Sequence, residues 1–134
     1  NPTESTIRFL PKGDRVMLIR REKGNKKAYL GKSSPPYTDW NFTESPYFIG
    51  GPDFVAIDEG IFIGGGRINR EYTGLVSFDK NGDFKEVLKL PSNYDSSYPG
   101  FVFENDTLYM SYYSSHETEK TSIYFAEIPL VELK

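Results

Sequence analysis

Cysteine is absent from the 134 residues, and histidine occurs once. The first absence excludes a disulfide framework, a thiol nucleophile and any cysteine metal site. The second leaves too few imidazoles for a histidine-rich metal centre. Neither a metal nor a cofactor is therefore expected. Long apolar runs are missing too: nothing approaches the roughly 20 residues of a membrane-spanning helix, so no membrane partner is expected. Positive charge is not in excess. Sixteen Lys and Arg against 19 Asp and Glu give a formal net charge of -3, which argues against a nucleic-acid surface. Helical periodicity is lacking throughout, and apolar alternation takes its place. The chain starts at Asn1 with no visible signal peptide, as a processed or truncated product would.

What is present is aromatic and turn-forming. Ten Tyr and ten Phe supply strand residues, and 12 Gly with nine Pro supply the tight turns between short strands. One stretch occurs three times. Thr6–Arg20 reads as apolar strand, Gly turn, apolar strand, and Asp53–Arg67 and Gly100–Ser114 repeat it. Gly13 recurs at Gly60 and Arg20 at Arg67, 47 residues on in both cases. A hairpin repeated at that period predicts the blades of a β-propeller.

The units fall at about 4–46, 47–93 and 94–134 within a single domain over 1–134. In the first, strands are predicted over Ile7–Leu10, Val16–Arg21, Ala28–Lys32 and Trp40–Thr43. The second has Phe54–Ile57, Ile61–Gly65, Gly74–Phe78 and Phe84–Leu90, the last two joined by an Asn81-Gly82 turn. Gly64-Gly65-Gly66 inside a strand predicts close approach of another backbone or a cavity wall. The third has Phe101–Glu104, Leu108–Ser114 and Thr121–Ile128. The expected architecture is all-β, three four-stranded antiparallel blades, although the third unit has no evident outer strand of its own. Three blades do not close a ring. An arc would leave apolar end faces, so upstream blades or a second copy in a homodimer is expected to complete it.

Hairpin geometry places the residue before each first strand and the end of each second strand on one face. The 47-residue period makes Glu4, Gly51 and Tyr98 equivalent, and likewise Arg20, Arg67 and Ser114. With the first strands innermost, a Glu, a Tyr and two Arg converge on the mouth of the channel. Paired guanidinium groups can fork a carboxylate. A Glu beside a Tyr can serve as base to a phenol nucleophile.

These residues resemble the sialidase family of six-bladed propellers. More closely, the chain resembles the C-terminal half of bacterial sialidase-like proteins with BNR-type repeats. The likeness is carried by Pro35-Pro36-Tyr37-Thr38-Asp39-Trp40, Gly50-Gly51-Pro52, Gly65-Gly66-Arg67, Ser97-Tyr98-Pro99-Gly100 and Ser111-Tyr112-Tyr113-Ser114-Ser115-His116. The resemblance implies an exo-α-sialidase-type glycosidase acting outside the cytoplasm. Tyr98 would be the nucleophile and Glu4 its base, with Arg20 and Arg67 holding the carboxylate of a sialic-acid-like sugar. Tyr113 and His116 would line the rim as further substrate-binding residues. The family's first clamp Arg and its acid/base Asp belong to blades outside this sequence, so the chain alone is expected to be inactive. No intact Asp box is present. Ser77–Phe84 is a distorted version that reads equally as an Asn-Gly hairpin. Two further readings stand beside this one. The chain could be a non-catalytic carbohydrate- or protein-binding module that dimerises, or a fragment with no independent role.

Overall fold

Each inner hairpin closes on the turn that the sequence marks. In the third unit Asn105 and Asp106 adopt φ of 51° and 56°. They join Glu104 to Thr107, as a two-residue hairpin with both central residues left-handed requires. In the first two, Gly13 and Gly60 hold positive φ. The computed structural model describes residues 1–134, and alternation in these segments builds three antiparallel sheets. The first runs β1 (Pro2–Phe9), β2 (Arg15–Arg21), β3 (Tyr29–Ser33) and β4 (Asn41–Glu44). The second runs β5 (Ile49–Asp58), β6 (Ile61–Ile68), β7 (Tyr72–Asp79) and β8 (Phe84–Lys89). The third contains β9 (Ser96–Glu104), β10 (Thr107–Ser114) and β11 (Ser122–Pro129), in that spatial order.

Two cores hold the sheets face to face. Period-two alternation sends neighbouring residues of β6 to opposite sides. Phe62 joins Val16, Leu18, Leu30, Phe54 and Phe78 between the first two sheets. Ile63 joins Leu75, Leu108, Met110, Tyr112 and Ile128 between the second and third. The first strands are innermost, since β5 packs against both β1 and β9. The arrangement is a fragment of a β-propeller.

Two differences from the sequence reading matter for function. The inner strands begin earlier than expected, and each carries a register shift near its start. The shifts fall between Pro2 and Glu4, between Gly50 and Asp53, and opposite Ser111–Tyr113. The Gly50-Gly51-Pro52 and Ser97-Tyr98-Pro99 phrases read as breaks but are bulged strand. Such a bulge accommodates proline, which lacks the N–H of a regular ladder. The third blade has three strands rather than four. After β11 the chain turns into a 3-10 helix, Leu130–Leu133. Its Leu133 enters the second core, so these residues do not pair along β11.

Candidate functional site

Glu4 lies inside β1, directly opposite Arg20 of β2. The end of the chain is held there by the ladder, and the Glu4 side chain is about one-third exposed. Both of its carboxylate oxygens are occupied. Oε1 accepts from Arg20 Nη1 at 3.2 Å and from the Tyr98 hydroxyl at 3.0 Å. Oε2 accepts from the Gly51 N–H at 2.9 Å. All three blades therefore meet on one carboxylate: its own through Arg20, the second through Gly51, the third through Tyr98.

Arg20 is held on its other side by Glu22, whose Oε1 accepts from Nε at 2.5 Å. Nη2 lies at the same distance from that oxygen. Burial opposes the guanidinium charge, but hydrogen bonding and the charges of Glu22 and Glu4 outweigh it and raise the Arg20 pKa. The Phe48 ring lies under the guanidinium at 5.4 Å. The role of Glu22 was missed in the sequence, where it reads as part of a charged turn. Its signal was alternation, which puts residues 20 and 22 on one side of an extended chain.

Tyr98 projects from the β9 bulge at φ 52° and is 60% exposed. The hydrogen bond to Glu4, then that carboxylate's charge, then burial raise its pKa above the phenol value of 10.0, with Arg20 pulling the other way. At neutral pH the phenol is protonated and donates to Glu4. The group in contact with that proton is the Glu4 carboxylate. Tyr113 stacks on Tyr98 with ring centroids 6.0 Å apart. Burial and the charge of Asp95 raise its pKa, and Arg67 lowers it.

Arg67, the penultimate residue of β6, lies opposite Gly50 and donates from Nη1 to the Tyr94 carbonyl at 3.0 Å. It neighbours Tyr113, while Arg20 neighbours Tyr98, so a line of residues runs Arg20, Glu4, Tyr98, Tyr113, Arg67. His116 is placed differently. Its Nδ1 is 2.9 Å from Ser114 Oγ and its ring centroid is 4.8 Å from that of Tyr124 on β11. Its hydrogen bond and ring contact are thus with Ser114 and Tyr124, not with the other five candidates.

The principal clefts lie at the opposite end of the sheets. One of about 530 Å³ is lined by Leu10–Lys12 and Ala56–Gly60, and one of about 350 Å³ by Lys32–Pro36 and Asp39. The aligned residues instead form an open face beside the inner strands. The arrangement offers a neutral phenol on a carboxylate base, flanked by two cations.

No protein-family model matches the sequence, and no curated protein matches it. Solved structures match in fold. The GH93 α-L-arabinofuranosidase of Fusarium graminearum in complex with arabinobiose superposes with a TM-score of 0.73 at 10% identity, over 96% of this chain and 45% of that one. A point mutant of the Fusarium graminearum α-L-arabinofuranosidase with an iminosugar inhibitor gives 0.71 at 10% identity, over 95% and 45%. At that identity the likeness shows the fold alone. The chain spans less than half the length of these enzymes, and neither is a sialidase.

Proposed function

We propose that this chain is part of a glycosidase-type propeller, in which Glu4 and Tyr98 are the base and nucleophile for an acidic, sialic-acid-like sugar. The observation that carries it is the 3.0 Å hydrogen bond from the Tyr98 hydroxyl to Glu4, made across 94 residues of sequence. The named neighbours bind arabinobiose or an iminosugar, which supports a carbohydrate ligand in general. A phenol suits an anionic sugar in particular. A carboxylate nucleophile would approach a carboxylate-bearing anomeric carbon against like charge, whereas a neutral phenol does not. Tyr98 oxygen bonds to the anomeric carbon as Glu4 takes the phenolic proton. The aglycone oxygen leaves with the sugar's bonding pair and a proton from an acid elsewhere in the completed propeller. Water then attacks the anomeric carbon, giving a proton to the conjugate base of that acid, while the Tyr98 oxygen leaves with the bonding pair and takes its proton back from Glu4. Arg67 supplies the freer guanidinium for the sugar carboxylate, since Arg20 is already bound by Glu22 and Glu4.

The test is release of an aryl group from a sialoside and from an α-L-arabinofuranoside. It compares the chain with the gene product carrying any further blades. Sialoside hydrolysis by the longer product is expected, with Tyr98→Phe lowering kcat at least about 100-fold. Sialoside inactivity of both proteins overturns the reading. A second reading, a non-catalytic sugar-binding module, is favoured by the neutralisation of Arg20 by two carboxylates. Its result is sialoside binding without turnover, unchanged by Tyr98→Phe.

A further inference from the structure

The bulge of β5 meets the bulge of β9 beside the Glu4 carboxylate. We propose that Gly51 is a positioning residue: only the lack of a side chain there lets the Tyr98 ring lie against β5 with its hydroxyl on Glu4. The inference rests on the Glu4–Tyr98 pair being the functional site.

Three observations support it. A Cβ at position 51 would stand 2.6 Å from Ser97 Oγ and 2.9 Å from Tyr98 Cδ1, closer than packed atoms approach. The Gly51 backbone has φ 59°, where a side chain is strained, and in this conformation its N–H donates to Glu4 Oε2 at 2.9 Å. The Ser97 hydroxyl in turn donates to the Gly50 carbonyl and fixes the two bulges together. Ser97 is buried, so that bond is shielded from water. A methyl group at 51 must push Ser97 and the Tyr98 ring away from β5, and the hydroxyl leaves Glu4 with them. Neither Gly51 nor Ser97 needs to touch a substrate for this.

The charged and titratable groups facing the Tyr98 hydroxyl are Glu4, Arg20 and Tyr113. The ionisation of Tyr98 therefore reports its distance from Glu4 without any substrate. It is read by ultraviolet difference titration of the full chain, with Tyr98→Phe identifying the component that belongs to Tyr98. The expected result is a Tyr98 midpoint above 10 in the parent protein, falling back toward the ordinary phenol value in Gly51→Ala. Glu4→Ala provides the reference for complete loss of the contact. Gly60→Ala is the control for backbone strain, since Gly60 also has positive φ but nothing lies within 4 Å of its added Cβ. It should leave the Tyr98 midpoint in place. Should Gly51→Ala fail to fold, Ser97→Ala carries the test. It adds no bulk, releases the Gly50 carbonyl, and should move the midpoint in the same direction by less. An unmoved midpoint in a folded Gly51→Ala or Ser97→Ala protein, or an equal shift in Gly60→Ala, overturns the proposal. Absence of glycoside hydrolysis would remove the catalytic reading and leave this result standing.

Discussion

Arg8 and Asp53 pair across the first two sheets at 2.6 Å, with Asp53 also accepting from the Phe54 N–H at 2.9 Å. Burial still raises the Asp53 pKa, against the backbone hydrogen bond and the Arg8 charge that lower it. The carboxylate is thus stabilised incompletely even with its partner present. Arg8→Ala should destabilise the fold by about 1–2 kcal/mol, between the values for exposed and buried pairs. Urea denaturation at pH 7 measures it, and no change in midpoint would show that water replaces Arg8. At this scale the sequence was partly legible. Glu4, Arg20 and Tyr98 could be aligned because a repeat carries equivalent positions to equivalent places. Glu22 was passed over because only strand alternation, not the repeat, marks it, and Gly51 was aligned with Glu4 and Tyr98 but acts through a backbone N–H that no side chain announces. His116 was grouped with the others by its position in a phrase, whereas its actual partners, Ser114 and Tyr124, are set by the β10–β11 connection.

The strand β6 shows why a glycine run can be structural. A Cβ on Gly65 would lie 2.5 Å from the Gly74 carbonyl oxygen, and one on Gly64 would lie 3.0 Å from both Phe54 and Phe78. Neighbouring backbone and core rings fill the space that these residues leave, as the sequence pattern predicted. Gly65→Ala cannot be relieved by turning a flexible side chain, because the atom it meets is backbone. It should destabilise the protein by about 2–3 kcal/mol, in the range of overpacked cores. Thermal unfolding followed by circular dichroism checks this, with a melting temperature equal to the parent's as the contrary result. The turns were legible from Asn, Asp and Gly, because positive φ leaves few alternatives. The starts of the inner strands were not. Gly and Pro ordinarily end strands, and only the pairing of three sheets shows that here they form bulges within them.

At the scale of the molecule, the two outer faces of the arc remain apolar. Phe9 and Phe42 are 69% and 54% exposed on the first sheet, and Ile123 and Phe125 are 77% and 67% exposed on the third. Cross-strand register puts Phe42 beside Gly31 and Phe125 beside Ser111, on the sides turned away from the two cores. Faces of this kind are ordinarily covered. The isolated 134-residue chain should therefore self-associate at micromolar concentration, and Ile123→Lys with Phe125→Lys should reduce that association. Sedimentation velocity measures it, and a monodisperse monomer of the parent chain would contradict the expectation. The propeller arc was legible because its period is long-range and regular. The missing fourth strand of the third blade was legible only as an absence, since four residues of 3-10 helix leave no periodic trace. The Glu4–Tyr98 contact joins the first blade to the third. During translation the carboxylate is made first, and its phenol only after more than ninety further residues. Until that segment docks, the Glu4 carboxylate has Arg20 and the Gly51 N–H but no phenol, so whatever the pair does can begin only when the third blade is in place.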